Sequence, residues 1–219
     1  MSKVTIVDYN LGNLFNVQRA FEAVGADVVM TQDPFVIRKA ACLVLPGVGA
    51  FADGMKNLEQ LGLVVPIQEY LSRGRPFLGI CLGMQMLFER SLEFGDHRGL
   101  GFFAGTVAPI PPHSDNGESL RVPHVGWNEI RGATLDSNWD DSALATTQPG
   151  TCFYFVHSFA ALVSQSRQAL ATTQYGGHQL IAVVRRDRVI GCQFHPERSG
   201  PAGLNILRTY VDQSMRNQH

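Results

Sequence analysis

One segment, residues 73–88, constrains the fold of this chain more than any other. Residues 76–80 form a short apolar run after Gly74, which predicts a buried parallel strand. The long apolar side chains of residues 84–88 predict a buried helix. Between them, Cys81 is flanked at a spacing of two by Gly79 and Gly83. This Gly-x-Cys-x-Gly pattern is typical of a nucleophile elbow, a sharp strand-to-helix turn in which glycine leaves room for the backbone.

An elbow would set the sulfur of Cys81 at a helix N-terminus. Unpaired N–H groups and the helix dipole favour a negatively charged sulfur there. The alternative is a buried core cysteine packed between two glycines, since free cysteine is among the most buried residue types. A general base elsewhere in the chain would distinguish the two interpretations.

Strands and helices alternate through the first half of the chain. Strands are predicted at 3–8, 26–31 and 42–45, and helices around 14–24, 55–61 and 67–71. This alternation predicts an α/β fold with a mostly parallel central sheet flanked by helices. Right-handed crossovers place the carboxyl ends of parallel strands at one sheet edge. The loops after Asp8, Leu45 and Ile80 should therefore meet where open α/β sheets bind ligands.

The C-terminal half predicts antiparallel strands added to that sheet. Strand patterns occur at 102–110, 127–131, 151–159, 169–175, 179–185 and 189–194. Gly176-Gly177 and Arg186-Asp187 are predicted hairpin turns, and strands joined by such turns run antiparallel. A final helix is predicted at 201–215. Because no internal repeat and no long linker divides the sequence, we expect a single domain over 1–219.

Composition excludes several classes of function. Charged residues make up 17% of the chain and the net charge is −1, so nucleic acid and membranes are not predicted as partners. No apolar run reaches the length of a membrane span and the N-terminus is too polar for a signal sequence, which predicts a cytoplasmic protein. The four cysteines and seven histidines lack metal-site spacings, so no metal and no cofactor are expected.

A candidate base lies at the end of the last predicted strand, in Gln193-Phe194-His195-Pro196-Glu197. On an extended backbone, His195 and Glu197 project to the same face, and Pro196 favours such a backbone. Glu197 could then hold one imidazole nitrogen while the other faces a nucleophile. A strand-end histidine beside a solvated glutamate is the plainer interpretation. The elbow cysteine in the same chain favours the catalytic one.

A glycine-containing loop, Pro46-Gly47-Val48-Gly49, follows the third predicted strand. With Ala52 it has the order G-x-G-x-x-A, which is close to a dinucleotide-binding fingerprint. That fingerprint belongs to the first strand–helix turn of its fold, and here that turn has a single glycine, Gly12. Two glycines after a strand more simply predict backbone N–H groups that are exposed beside a site and able to bind an anion.

The motifs at 79–85 and 193–197, in that order, resemble those of the class I glutamine amidotransferases. The resemblance covers essentially the whole chain. Residues 8–13, 46–49 and 123–128 (Pro-His-Val-Gly-Trp-Asn) are similar to one branch in particular, the glutaminase subunits of imidazole glycerol phosphate synthase in histidine biosynthesis. Most other branches have Pro-Gly-Gly where this chain has Pro-Gly-Val-Gly.

The resemblance implies an enzyme with a Cys-His-Glu triad. Cys81 would be the nucleophile, His195 the base and Glu197 the residue that orients the base. Glutamine would be hydrolysed to glutamate and ammonia through a cysteine thioester.

The resemblance also implies where the substrate lies. An oxyanion hole is expected at the backbone N–H groups of Gly49 and Leu82, and substrate contacts at Gly47 and Gln85. For Gln85, a polar side chain satisfied inside the sheet–helix packing is an equally good interpretation.

No residues for cyclising a sugar phosphate are evident. The resemblance implies a separate (β/α)8-barrel synthase as heterodimer partner, which would use the ammonia to make imidazole glycerol phosphate and AICAR. Candidate interface residues are Asn13, Trp127, Tyr154 and Arg198. The aromatic side chains among them could equally belong to the core.

Two other interpretations stay open. The chain could be a glutaminase subunit for another acceptor, as in pyridoxal phosphate synthesis or nucleotide amination, or a non-catalytic partner-binding module. The intact set of Cys81, His195 and Glu197 argues against a non-catalytic module. The stretches 46–49 and 123–128 favour imidazole glycerol phosphate synthesis over another acceptor.

Overall fold

Strands and helices alternate along the first half of the chain in the computed structural model, which describes residues 3–216. The strands are β1 (Lys3–Val7), β2 (Asp27–Thr31), β3 (Cys42–Gly47), β4 (Phe77–Cys81), β5 (Phe88–Ser91), β6 (His97–Arg98), β7 (Phe103–Pro109), β8 (His124–Glu129), β9 (Arg131–Gly132), β10 (Cys152–His157), β11 (Phe159–Val163), β12 (Ala169–Tyr175), β13 (His178–Arg186) and β14 (Val189–Cys192). The helices are α1 (Leu14–Ala23), α2 (Pro34–Lys39), α3 (Phe51–Gln60), α4 (Val64–Ser72), α5 (Leu82–Gln85) and α6 (Gly200–Arg216), with 3-10 turns at Ser166–Gln168 and Pro196–Arg198.

The central sheet has eight strands in the order β2-β1-β3-β4-β14-β13-β12-β9. The first five strands of this order pair in parallel, and β13, β12 and β9 are added in antiparallel pairing. This arrangement confirms the predicted fold class and both predicted hairpins. Strands β11-β7-β5-β6 form a second sheet, and β8 and β10 form a third of two strands.

Apolar side chains cover both faces of the central sheet. On one face, Val4 and Val44 pack with Phe21 of α1 and Leu207 of α6. On the other face, the alternate strand residues pack against helices α2, α3 and α4. Every residue of β3 and β4 is buried as a result, which is why both strands have nearly continuous apolar sequences. No helix among residues 3–216 has the length and apolar character that crossing a bilayer requires.

The helix predicted at 84–88 exists but ends earlier than predicted, and the prediction is wrong from Met86 on. Helix α5 ends at Gln85, and Phe88 begins strand β5. The carbonyl oxygens of Met86 and Leu87 accept hydrogen bonds from the N–H groups of Leu100 and Phe102, both at 2.8 Å. A tertiary contact thus replaces the helical bonds, and an apolar run of this length does not distinguish a buried helix from a buried strand.

Two predicted strands are each divided between sheets. Segment 151–159 contains the end of β10 and the start of β11, and segment 127–131 spans β8 and β9. Helix α2 and strands β5 and β6 were not predicted. These elements are short, and short segments carry weak periodic signals.

The elbow forms where β4 turns into α5. Cys81 has a φ of +53°, a conformation that residues other than glycine rarely adopt. A Cβ atom on Gly83 would overlap the carbonyl oxygen of Leu45 in β3, and one on Gly79 would lie 2.8 Å from the carbonyl oxygen of Gly83. Only glycine fits at either position, so the predicted nucleophile elbow is confirmed as a backbone structure.

We expect Gly83→Ala to destabilise the protein by at least about 3 kcal/mol, because the added methyl group must displace the backbone of β3. Gly62→Ala is the matched control. Gly62 has a φ of +67° and open space around its Cβ position, so only the left-handed backbone strain of about 1–2 kcal/mol applies. Urea unfolding of both variants measures the difference. Equal losses would contradict the packing explanation.

Candidate active site

A pocket of about 430 Å³ opens at the carboxyl edge of the central sheet. The loop after β3 lines it through Val48 and Gly49, and the elbow after β4 through Cys81 and Leu82. The loop after β1 contacts the end of β3, where Tyr9 Oη donates a 2.8 Å hydrogen bond to the carbonyl oxygen of Pro46. This confirms the predicted meeting of loops. The predicted site residues that line the pocket are Gly49, Cys81, Leu82, Gln85, His195 and Arg198.

His195 and Glu197 form a buried ion pair, with 2.7 Å between Nδ1 and Oε1 and both side chains 3% exposed. The backbone of His195 is extended, but Glu197 lies in a 3-10 turn, so the predicted extended backbone across both residues is wrong. The 3-10 turn nevertheless brings the Glu197 carboxylate to Nδ1 of His195, which is the contact that the sequence predicted. The His195 N–H donates to the carbonyl oxygen of Tyr154 at 2.9 Å, which connects His195 to strand β10.

The electrostatic surroundings of His195 favour an imidazolium. Burial by itself lowers the pKa of His195, but hydrogen bonding to Cys81 and Glu197 and the charges of both groups outweigh burial and raise the pKa to about 10. Its Nε2 is buried, and its interaction with the Cys81 sulfur does not meet the geometry of a normal hydrogen bond among residues 3–216. This nitrogen is therefore free to exchange a proton with Cys81 or with a bound substrate.

Cys81 is 7% exposed and lines the pocket at the N-terminus of α5. The side chain of Gln193 donates a hydrogen bond from Nε2 to its sulfur, at 3.6 Å. Gln85 is bonded through its Nε2 to Phe159 and Gln193. The Gln85 amide is therefore satisfied by the packing, and the residue also lines the pocket; its contact with the substrate stays a prediction.

The glycine loop after β3 has two different parts. Gly47 is buried beside Tyr9 and pairs with Cys81 in the sheet, but it does not line the pocket. Gly49 lines the pocket with a φ of +109° and has open space around its Cβ position. A substrate contact at Gly47 and an oxyanion donor at Gly49 stay predictions.

Comparison with known proteins decides the family. The family model "Glutamine amidotransferase class-I" matches residues 5–213. The chain belongs to the class I glutamine amidotransferases. The resemblance found in the sequence is thereby confirmed, and the chain is an enzyme of this family.

The relatives of this amidotransferase include imidazole glycerol phosphate synthase subunits. It is 46% identical over 211 residues to subunit HisH 1 of Legionella pneumophila strain Lens, covering 96% of this chain and 99% of the relative. It is 46% identical over 212 residues to HisH of Geobacter metallireducens, covering 96% and 98%.

Solved structures share the fold of the amidotransferase at low identity. PurLQS from Thermotoga maritima matches with a TM-score of 0.69 and 17% identity, over 96% of this chain and 97% of that one. The glutaminase domain of Trypanosoma brucei CTPS matches with a TM-score of 0.62 and 15% identity, over 97% and 92%.

The sequence analysis missed one acidic residue of the pocket. Glu93 is buried, lines the pocket and accepts a 2.6 Å hydrogen bond from the N–H of Phe51 at the start of α3. It lies two residues after β5, a strand that was not predicted. Correct assignment of that strand would have placed a carboxylate beside the elbow.

Three of the four predicted interface residues lie together. Trp127 is 58% exposed and packs edge-on against Tyr154 at 6.2 Å, and the Arg198 guanidinium lies 4.4 Å from the Tyr154 ring centroid. Asn13 is exposed at the N-terminus of α1, which packs beside the turn that carries Arg198. Their role as an interface stays a prediction.

The other cysteines bear on the choice of nucleophile. The strand patterns of the sequence predict Cys42, Cys152 and Cys192 as strand-core residues. Cys42 and Cys192 are buried in strands, whereas Cys152 is exposed, so its predicted place in the core is wrong. Cys152 is the first residue of β10, a strand in which exposed or half-buried residues alternate with buried ones, and it lies on the more exposed side. All four thiols are free, and residues 3–216 contain no cluster of three potential metal ligands.

We expect Glu197→Gln to lower the pKa of His195 by about 1–2 units, because the hydrogen bond and the charge of Glu197 both raise it. An NMR titration of the histidine ring protons measures this change. His124 is an internal control, since burial alone lowers its pKa to about 4. An unchanged titration of His195 would show that Glu197 does not stabilise the imidazolium.

Proposed function

We propose that this amidotransferase is the glutaminase subunit of an imidazole glycerol phosphate synthase. It hydrolyses glutamine through a Cys81 thioester and passes ammonia to a (β/α)8-barrel synthase, which makes imidazole glycerol phosphate and AICAR in histidine biosynthesis. The observation that supports this proposal most directly is that His195, in a buried ion pair with Glu197, lines the same pocket as Cys81. Near full-length similarity to HisH subunits supports the choice of pathway, and a cytoplasmic heterodimer is part of this proposal.

The first half of the reaction releases ammonia. The Cys81 thiolate attacks the side-chain carbonyl carbon of glutamine, and the carbonyl electron pair moves to oxygen. The resulting oxyanion would be held by the backbone N–H groups of Leu82 and Gly49. His195 then gives its Nε2 proton to the leaving nitrogen as the C–N bond breaks, which leaves a γ-glutamyl thioester and ammonia.

The second half releases glutamate. Neutral His195 takes a proton from a water molecule that attacks the thioester carbon. The tetrahedral intermediate collapses, the C–S bond breaks and the electron pair returns to sulfur. Thiolate and imidazolium are restored, and Glu197 stabilises the imidazolium in this state through its 2.7 Å contact with Nδ1.

Glu93 has the chemistry to bind the α-ammonium group of glutamine. Apart from Glu93, the residues lining the pocket carry no carboxylate. The Phe51 N–H bond holds one carboxylate oxygen, Oε2. An ammonium group next to this carboxylate would fix which end of glutamine faces Cys81.

A partner protects the product. Ammonia released into neutral water is mostly protonated and no longer nucleophilic, so a synthase that uses it gains from receiving it directly. The aromatic cluster of Trp127 and Tyr154 with Arg198 lies next to the pocket and has the residue types enriched at interfaces. This surface is our candidate for the docking face.

Cys81→Ala should reduce glutamine hydrolysis by at least about 10³-fold, because the reaction loses its nucleophile. Folding and association with the synthase should persist, since alanine is a small residue at the elbow. Cys42→Ala and Cys152→Ala are the matched controls and should keep most of the activity. A comparable loss of turnover in either folded control would contradict the assignment of the nucleophile.

We expect the conformation of the Gly49 loop, and with it the completeness of the oxyanion hole, to depend on binding of the synthase. Glycine readily adopts the φ of +109° that Gly49 has here. A flip of the peptide bond before Gly49 would turn its N–H away from the oxyanion until the synthase binds. One missing donor lowers turnover by about 10²–10³-fold. Gly49→Ala should therefore weaken stimulation by the synthase more than it weakens association.

The measurement is the glutaminase rate with and without a co-purified barrel synthase loaded with its ligand. Gly25→Ala is the control, because Gly25 has a φ of +87° but lies outside the pocket. Full activity of the isolated chain, unchanged by the partner, would show that the loop is only a tight turn.

A further inference from the structure

A backbone carbonyl determines the orientation of two buried side-chain amides behind Cys81. The carbonyl oxygen of Phe159 can only accept, so the Gln85 atom 3.0 Å from it must be the donor Nε2. The same Nε2 lies 2.9 Å from an atom of Gln193, which must then be the acceptor Oε1. The other end of the Gln193 amide, Nε2, therefore points an N–H group at the sulfur of Cys81, at 3.6 Å.

The orientation of this amide chain is rigid. Gln193 is fully buried, and its backbone N–H donates to the carbonyl oxygen of Ala182 at 2.8 Å. Phe159 also accepts from Nδ1 of His157 at 2.8 Å, so both lone pairs of its carbonyl are used. Rotating either amide by 180° would place two acceptors or two donors face to face.

We propose that Gln193 is a further catalytic residue, whose side-chain N–H stabilises the negatively charged sulfur of Cys81. The inference rests on the proposed function, in which Cys81 is the nucleophile. A hydrogen bond to the charged form of a group favours that form, and the effect is stronger in a buried site. Gln193 and His195 thus interact with the same sulfur from two positions of one segment. Gln193 contributes an N–H that it never gives up, whereas His195 contributes a proton that it can transfer.

The Gln193 donor acts at both ends of the reaction. It stabilises the thiolate before attack on glutamine. It stabilises the same thiolate again when the C–S bond of the thioester breaks and the electron pair returns to sulfur. A thioester sulfur is a weaker acceptor than a thiolate, so this N–H favours the leaving sulfur over the covalent intermediate.

The other groups that act on Cys81 do not supply this interaction. The titratable groups that interact electrostatically with the sulfur are Tyr9, Cys192 and His195. Burial raises the pKa of Tyr9 and of Cys192, so both stay neutral near neutral pH. Their hydroxyl and thiol hydrogens are directed to the carbonyl oxygens of Pro46 and Gly79. Gln193 is therefore the donor to the sulfur that does not change its charge.

The test is the pH dependence of Cys81 alkylation by iodoacetamide in the full 219-residue chain, without glutamine. Gln193→Met removes the N–H and should move the midpoint of Cys81 alkylation upward by about 1–2 pH units. Gln193→Glu keeps an acceptor for Gln85 but presents a carboxylate oxygen to the sulfur, so its upward shift should be at least as large. Peptide mass spectrometry follows each cysteine separately.

Two controls separate this role from a structural one. Gln168 is also buried but has no part in the amide chain, so Gln168→Met should leave the Cys81 midpoint unchanged. The exposed Cys152 is an internal reference whose alkylation profile should be the same in every variant. Midpoints in either folded Gln193 variant that coincide with the parent would overturn the proposal.

A measurement on the unmodified protein keeps the proposal testable if both Gln193 variants fail to fold. The side-chain amide protons of Gln193 should shift in the ¹⁵N-correlated NMR spectrum at the same pH midpoint as Cys81 alkylation. Amide protons that do not respond to that titration would overturn the proposal. Since no step uses glutamine, the result is independent of turnover. Hydrolysis that persists in Cys81→Ala would instead reject the proposed function.

Discussion

The structure depends on the close backbone contact between strand β3 and the elbow after β4. Gly83 packs directly on the carbonyl oxygen of Leu45, and any side chain there would separate the two strands. This contact holds Cys81 at a φ of +53°, a conformation that costs about 1–3 kcal/mol for a residue other than glycine. The parallel pairing of β4 with both β3 and β14 distributes that strain over the buried centre of the sheet. The sulfur of Cys81 is thus presented from the buried centre of the sheet.

The other parts of the site come from segments that are distant in sequence. His195 and Glu197 follow β14, which pairs with the strand that carries Cys81. Strand β10 receives the N–H of His195, and the turn into β11 brings the carbonyl oxygen of Phe159 behind the elbow. The two smaller sheets therefore complete the pocket. The exposed aromatic cluster of Trp127 and Tyr154 lies on one of them, the two-stranded sheet of β8 and β10.

Charge in the site is balanced within a short distance. Burial disfavours an imidazolium at His195, and the contacts with Cys81 and Glu197 reverse that preference. Glu197 and Cys81 together compensate the buried charge of an imidazolium at His195. The side-chain amide of Gln193 contacts the sulfur of Cys81 and is itself held by Gln85. Both amides are neutral, so they satisfy buried polar groups without adding a further charge to the site.

The sequence by itself determined the parallel sheet, the elbow at Cys81, the family and the pairing of His195 with Glu197. Each of these depends on local constraints: periodicity, glycines at a spacing of four, and a proline between two functional residues. Tertiary structure alone decided that 86–88 leaves the helix, that Glu93 enters the pocket and that Gln193 faces the sulfur. Those outcomes depend on which distant backbone groups satisfy a buried carbonyl or amide. Local sequence does not contain that information, because hydrogen-bond partners across a sheet are chosen by the packing of the whole chain.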